Sequence, residues 1–200
     1  MGQRIDRTTF DAEDYARFRR RLAECLSTLG QLFDRPDFGV GPTTIGAELE
    51  LFLVDETGRP LFRNDTVRAA LDDARITFEL DRFNLELNAS PTPIEGRPFS
   101  VLGAELTLLL DRIGTVAARH GGRPALIGIL PTLREADLAD ESMSPAPRYR
   151  ALDAGLRRLR AGDPFRIDLA GADHLQLASD AVTIEGANTS FQVHLRVDPA

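Results

Sequence analysis

The stretch "TIGAELELFLVDETGRPLF" (Thr44–Phe62) decides the fold that the sequence predicts. Apolar and acidic residues alternate along it, which predicts a strand from Thr43 to Val54, a turn at "DETGRP" and a short second strand from Pro60 to Arg63. Alternate residues of a strand project to opposite faces, so the leucines face one side, and Glu48, Glu50 and Phe52 face the other. Because neighbouring carboxylates repel each other and are costly to bury, that second face requires either solvent or a positive charge.

The composition indicates one acidic globular domain. The 200 residues are 42% hydrophobic, enough for one core, and the net charge of -7 excludes the basic surface of a nucleic-acid-binding protein. All 24 basic residues are arginine, which excludes a Walker phosphate loop and a Schiff base. We expect no membrane partner and a cytoplasmic location, since no apolar run could span a bilayer and no signal peptide is recognisable. Cys25, the single cysteine, is predicted to be a small core residue of a helix.

The remaining pattern predicts a single domain, 1–200, with a leading helix within residues 1–40 and a sheet with helices over residues 43–198. Strands are joined by hairpins or separated by helices without a regular βαβ rhythm, which favours an α+β fold with an antiparallel or mixed sheet and helices packed on one face. The predicted elements are a helix over 11–33, a helix over 65–74 with Asp65 as N-cap, an interrupted extended segment over 75–91, a helix from Ser100 to His120, a buried strand over 123–131, a helix from Tyr149 to Arg160, a hairpin about Gly171 and a last strand over 190–198.

The interrupted segment carries a second pair of carboxylates, Glu79 and Glu86. They are seven residues apart, so an unbroken strand would place them on opposite faces. A bend or bulge between Asp81 and Asn84 would bring both to the same side. Each of these glutamates alternates with apolar neighbours, so both are expected to lie opposite a core-facing row.

Four strand carboxylates opposite core rows, Glu48, Glu50, Glu79 and Glu86, are typical of a site for a hard cation such as Mg²⁺, which prefers oxygen ligands. The last strand adds Gln192 and His194, again on one face, with a carbonyl oxygen and a ring nitrogen. Two other interpretations stay open at this point. The glutamates could be solvated surface residues, or a pair of them could be the general acid and base of a hydrolase.

Three segments resemble a known family, the glutamate–cysteine ligases and related carboxylate–amine ligases. "GAELELFLVD" resembles the G-x-E-x-E strand that opens these enzymes, and "FELDRFNLELNASP" is similar to their E-x6-E segment, which ends in a Thr-Pro or Ser-Pro turn. "EGANTSFQVHLRVD" resembles the family strand that carries a Gln-x-Asn or His-x-His pair. The three segments occur in the family's order, and the resemblance extends from Ile45 to Asp198.

The resemblance implies the fold of glutamine synthetase's catalytic domain, an antiparallel sheet curved around an ATP and metal site. It implies that Glu48, Glu50, Glu79 and Glu86 hold Mg²⁺, that Gln192 lies at the metal–nucleotide site and that His194 lies beside it. It also implies that ATP phosphorylates the side-chain carboxylate of glutamate, and that an amine, in the simplest case that of cysteine, attacks the acyl phosphate. Charge neutralisation and alignment by metal ions suit phosphoryl transfer on a chain without lysine.

A basic segment, "MSPAPRYRALD", is a further candidate for substrate binding. Arg148, Tyr149 and Arg150 could reach a carboxylate or a phosphate, or could form the solvated first turn of a helix. We predict Glu48, Glu50 and Arg148 as catalytic residues. Family enzymes are longer than this chain, so we expect a missing C-terminal half. A homo-oligomer stays open as the alternative. The alternative function is a non-catalytic domain of the same fold that binds metal or a partner chain.

Overall fold

A central strand organises the fold in the computed structural model, which describes residues 5–198. This strand, β1 (Thr44–Asp55), pairs antiparallel along one edge with β3 (Asn84–Asn88) and β4 (Thr92–Pro93). Along its other edge it pairs antiparallel with β5 (Gly122–Ala125) and β8 (Phe191–Arg196). β2 (Ile76–Phe78) extends the sheet beyond β3. The α+β fold with an antiparallel sheet, predicted from the sequence, is confirmed.

The leucine face of β1 forms the larger core. Leu51 and Leu53 are fully buried there beneath two helices, α2 (Asn64–Leu71) and α3 (Pro98–Ala118). α3 contributes a stripe at helical spacing, consisting of Leu102, Leu106, Leu109, Ile113 and Val116. Since full burial of each such side chain stabilises the fold by about 1.5–3 kcal/mol, this stripe fixes α3 on the sheet.

The glutamate face of β1 is polar at one end and apolar at the other. Phe52 and Val54 belong to a second buried cluster, in which Phe52 stacks on Phe83 with ring centroids 6.0 Å apart. This cluster explains why a phenylalanine follows the two glutamates on the same face. The elements on this side are α4 (Pro147–Leu159), three 3-10 turns (Glu135–Leu138, Asp140–Ser142 and Val182–Ala187) and a two-stranded hairpin of β6 (Phe165–Ala170) and β7 (His174–Ser179).

The first helix, α1 (Ala12–Phe33), has a well-formed start but buries no side chain. Asp11 and Asp14 form a reciprocal capping box at its N-terminus. Most of its apolar residues are exposed to solvent; Phe18 is 63% exposed and Leu26 is 60% exposed. The prediction that Cys25 is a core residue is wrong, because α1 lies against no sheet face and Cys25 is exposed.

Several predicted boundaries also differ from the structure. The expected strand from Pro60 to Arg63 is reduced to a single bridge between Val54 and Pro60. Asp65 lies inside α2 rather than at its N-cap, which is Arg63.

The expected buried strand over 123–131 ends at Ala125, and Leu126 and Ile129 are exposed. The physical reason is competition for one edge of β1. There the Glu50 amide donates to the Ser190 carbonyl at 3.0 Å, so the chain leading into β8 takes the place of a longer β5.

Candidate metal centre

Two of the predicted ligands, Glu50 and Glu86, are held directly opposite each other. They are register partners on β1 and β3, and partners in an antiparallel pair project to the same face. Thr77 on β2 is in turn the partner of Glu86. The regular pleat of three adjacent strands therefore places these side chains in one row.

Glu79 reaches the same row through a bend. It follows Phe78, the last residue of β2, and the chain turns back where the Asn84 amide donates to the Asp81 carbonyl at 2.9 Å. This confirms the predicted interruption between Asp81 and Asn84. One carboxylate oxygen each from Glu50, Glu79 and Glu86 then lie within 4.8 Å of one another. We call these residues the three-glutamate cluster.

Each carboxylate of the cluster also accepts hydrogen bonds from the protein. Glu86 Oε1 accepts from Thr77 Oγ1 at 2.8 Å and from Asn88 Nδ2 at 2.7 Å. Glu50 Oε2 accepts from the Ser190 amide at 2.7 Å, and Glu79 Oε2 accepts from the Leu80 amide at 3.0 Å. These bonds orient the carboxylates but supply no positive side chain to balance their charge.

The lack of a balancing positive charge affects the pKa of Glu79. Burial, together with repulsion from Glu86 and Glu50, raises the pKa of Glu79 to about 7. A carboxylate with this pKa is about half protonated at pH 7, and a bound cation would favour its ionised form.

The donor set fits a hard divalent cation. All three groups offer oxygen, they come from three different segments, and they converge at a spacing that a single ion can bridge. Soft-metal chemistry does not suit the cluster, because it contains no sulfur or imidazole ligand. Glu50, Glu79 and Glu86 could therefore hold Mg²⁺ or Mn²⁺.

The cluster opens into a cavity of about 360 Å³. Gln192 lines this cavity together with Glu50 and Glu79, so the structure brings one predicted nucleotide-site residue to the cluster. Among the described residues that line it, none is basic. An anionic ligand would therefore need a cation in order to enter.

Glu48 and His194 lie next to the three-glutamate cluster but outside it. Glu48 is on the same face of β1 but outside the group of three, and its Oε2 is 3.5 Å from His194 Nε2. Both line a separate cavity of about 380 Å³ with Arg75. The structure thus divides the predicted set into a cluster with Gln192 and an adjacent Glu48–His194 pair.

Comparison with known proteins identifies the family. Residues 44–200 match the family described as glutamate-cysteine ligase family 2 (GCS2). The chain belongs to this family. No curated protein and no solved structure gives a significant match. The segment that matches glutamate-cysteine ligase family 2 begins at the first residue of β1 and includes the three-glutamate cluster, whereas α1 lies before it.

The antiparallel sheet of the chain agrees with this family assignment. Within residues 5–198, no helix combines the length and the apolar character needed to cross a membrane.

Arg148, predicted as a catalytic residue, is not among the residues that line the cavity. Its guanidinium donates to the Phe78 carbonyl at 2.8 Å and to the Tyr149 hydroxyl, and stacks over the Tyr149 ring. Tyr149 lines the cavity, but its hydroxyl donates to the same carbonyl at 2.5 Å. Arg150 is exposed. The basic segment therefore binds the backbone just before Glu79.

Two buried polar residues beside the cluster were not predicted. Asp81 is fully buried, and neither of its carboxylate oxygens has a hydrogen-bond partner within residues 5–198. Burial and the charge of Glu79 raise the pKa of Asp81 to about 8. Asn84 is 1% exposed and lines the cavity, and both polar atoms of its side-chain amide lack a partner in the described part of the chain. Asn84 could have been found from the sequence, because it precedes Glu86 by two residues on the same strand face. Asp81 follows no such pattern.

Proposed function

We propose that this member of glutamate-cysteine ligase family 2 is an ATP- and Mg²⁺-dependent ligase that joins the side-chain carboxylate of glutamate to an amine through an acyl phosphate. Cysteine is the simplest amine for this reaction, which would then belong to glutathione biosynthesis. The observation that carries the proposal is the three-glutamate cluster, an oxygen-only site that has no ion pair with a basic side chain within residues 5–198, in a chain of this family.

In this proposal Glu50, Glu79 and Glu86 hold Mg²⁺. The bound ion supplies neutralisation of phosphate charge, which is the main requirement of phosphoryl transfer. Gln192 offers an amide to the nucleotide from the cavity wall. Glu48 and His194 form the neighbouring end of the same face and would contact the nucleotide or a second ion.

Phosphate binding through cations also agrees with the charge of the cavity. Phosphates usually bind to arginine, lysine or helix N-termini, and the described lining residues include none of the basic side chains. We therefore expect ATP to bind only together with a divalent ion. We place the reaction in the cytoplasm, where cysteine is kept reduced.

A second candidate function is supported by β8. Phe191, Val193 and Leu195 project from this strand and are each more than half exposed. An apolar row at the edge of a sheet is a site where another chain can pack. The alternative is therefore a non-catalytic domain that binds metal or a partner chain.

Titration calorimetry and a phosphate-release assay separate these functions. Mn²⁺ and MgATP are titrated into the wild-type chain, Glu50→Gln and Glu95→Gln, where Glu95 is an exposed glutamate outside the cluster. The ligase proposal requires Mn²⁺ binding, divalent-dependent ATP binding and glutamate-dependent phosphate release, all lost in Glu50→Gln and kept in Glu95→Gln. Metal binding without nucleotide binding would support the non-catalytic domain, and hydrolytic activity without ATP would contradict both.

A further inference from the structure

Glu79 differs from the other two members of the cluster in how it is held. Glu50 lies in the middle of β1 and Glu86 in the middle of β3, where strand pairing fixes both. Glu79 lies after the end of β2, in the bend that precedes β3. Its carboxylate faces two others of the same charge, so repulsion favours its movement away from them. Some other contact must hold this bend.

A segment on the α4 side, residues 142–149, lies along the bend and bonds to its backbone. The Arg82 amide donates to the Ser142 carbonyl at 2.7 Å, and the Ser144 amide donates to the Leu80 carbonyl at 2.8 Å. Asp81 and Met143 form an isolated antiparallel bridge between these two bonds. The bend is thus held by a short ladder from outside the main sheet.

Two side chains complete this support. Ser144 Oγ donates to the carbonyl of Glu79 itself at 2.5 Å and accepts from Asn64 Nδ2 at 2.7 Å. Asn64 Nδ2 also lies 3.0 Å from the Asp81 carbonyl and 3.1 Å from the Asn84 carbonyl, at the two sides of the turn. Asn64 and Ser144 are both fully buried. Hydrogen bonds therefore connect the first residue of α2 to the backbone of Glu79.

We infer that Asn64 and Ser144 are positioning residues that hold Glu79 against Glu50 and Glu86 and so set the divalent-cation affinity of the cluster. This inference rests on the proposed function, since it assigns a role in the same cation site. Neither side chain forms a hydrogen bond with the carboxylates of the cluster; both bond to backbone carbonyls of the segment that carries Glu79. Removal of the Ser144 hydroxyl would leave the Glu79 carbonyl and the Asn64 amide without this bond. Repulsion from Glu50 and Glu86 would then move Glu79 and the bend away from them.

The test compares two deletions of a buried hydroxyl in the full chain. Ser144→Ala removes the bond to Glu79, and Thr183→Val removes a bond of the same kind, from fully buried Thr183 to the Leu138 carbonyl. Mn²⁺ affinity is measured by calorimetry, and stability by urea unfolding. We expect Ser144→Ala to raise the Kd for Mn²⁺ about tenfold, as loss of outer-shell support does at metal sites. Thr183→Val should lose comparable stability but keep the wild-type Kd within about twofold.

Further variants distinguish positioning from general loosening. Ser144→Thr keeps the hydroxyl and should restore Mn²⁺ affinity relative to Ser144→Ala. Because Asn64 and Ser144 act in one connected set, Asn64→Ala combined with Ser144→Ala should weaken Mn²⁺ binding no more than the stronger single change. Equal Mn²⁺ affinity in Ser144→Ala and wild type would overturn the inference while leaving the cation site intact.

Hydrogen exchange tests the inference separately from the proposed function. A wild-type chain that binds no Mn²⁺ would overturn the cation site. In that case, amides of residues 80–84 should still exchange faster in Ser144→Ala than in Thr183→Val, because the ladder along the bend is weakened. Equal exchange in the two variants would overturn the positioning role as well.

Discussion

Gly186 must lack a side chain because the carboxylate of Asp81 occupies the adjacent space. A Cβ built on Gly186 would lie 2.3 Å from Asp81 Oδ2, and Asp81 is fully buried, so it cannot move into solvent. We expect Gly186→Ala to destabilise the fold by about 1–3 kcal/mol through this overlap. Gly103, in the middle of α3, has open space at the same position, so Gly103→Ala should stabilise by up to about 1 kcal/mol. Urea unfolding of both variants tests the contrast, and equal effects would contradict it.

Asp81 itself should make stability depend on pH. Its pKa is about 8 in the folded chain against an ordinary value of 3.8, so the folded state holds a proton that the unfolded chain releases between these values. Stability from this group is therefore present at low pH and falls as pH rises towards 8, at up to about 1.4 kcal/mol per pH unit.

Asp81→Asn removes that proton equilibrium and keeps the shape of the side chain. We expect the variant to gain stability over wild type as pH rises from 5 to 8, by up to about 4 kcal/mol at the upper end. Urea unfolding at each pH measures this gain, with Asp163→Asn, at an exposed position, as the control. A pH profile of Asp81→Asn parallel to that of wild type would show that Asp81 does not carry the shift.

Side-chain direction was the part of the site that the sequence could predict. The alternation that places Glu50 opposite the leucines is a local property of any strand. The register that pairs Glu50 with Glu86 is fixed only in the folded sheet, because a shift of two residues would keep the same faces. The space that the Asp81 carboxylate occupies depends on Gly186, which is far away in sequence and near only after folding. No pattern within the "FELDRFNLELN" segment contains that information.

At the scale of elements, α1 and α3 have similar apolar spacing and opposite environments. Leu109 of α3 is fully buried, whereas Leu26 of α1 is 60% exposed. We expect Leu109→Ala to cost about 2–5 kcal/mol of unfolding free energy and Leu26→Ala less than about 0.5 kcal/mol. Thermal and urea unfolding of the two single variants give the comparison. A large loss of stability in Leu26→Ala would show that the apolar face of α1 is covered in solution.

The same pair of helices shows why part of the fold was not predictable. Helical spacing correctly indicated both helices, because it reflects backbone geometry within the element. It did not indicate which helix has a sheet face to cover, and the expected burial of Cys25 was wrong for that reason. Likewise, the apolar run after Ala125 looks like a strand, but the edge of β1 that it would need is taken by Ser190 and β8.

At the scale of the whole molecule, β1 lies between two buried cores, and the site depends on both of them. Its leucine face and the Phe52 end of its other face are closed cores, which hold the sheet rigid on both sides of the glutamates. Glu50 and Glu79 lie between these cores, where the cavity admits solvent. Because the two cores hold the strands rigidly, the negative charges of the glutamates stay close together, whereas in a flexible loop they would move apart.

Cation binding should therefore depend on pH and should stabilise the whole chain. With a pKa of about 7, Glu79 is mostly protonated at pH 6 and mostly ionised at pH 8, and only the ionised form is a good ligand. An ion that binds the folded state alone raises the unfolding temperature according to its affinity. We expect saturating Mn²⁺ to raise the Tm more at pH 8 than at pH 6. Glu79→Gln should abolish most of the increase at both pH values, whereas Glu95→Gln should retain it. Equal increases for wild type at the two pH values would contradict a cation site that includes Glu79.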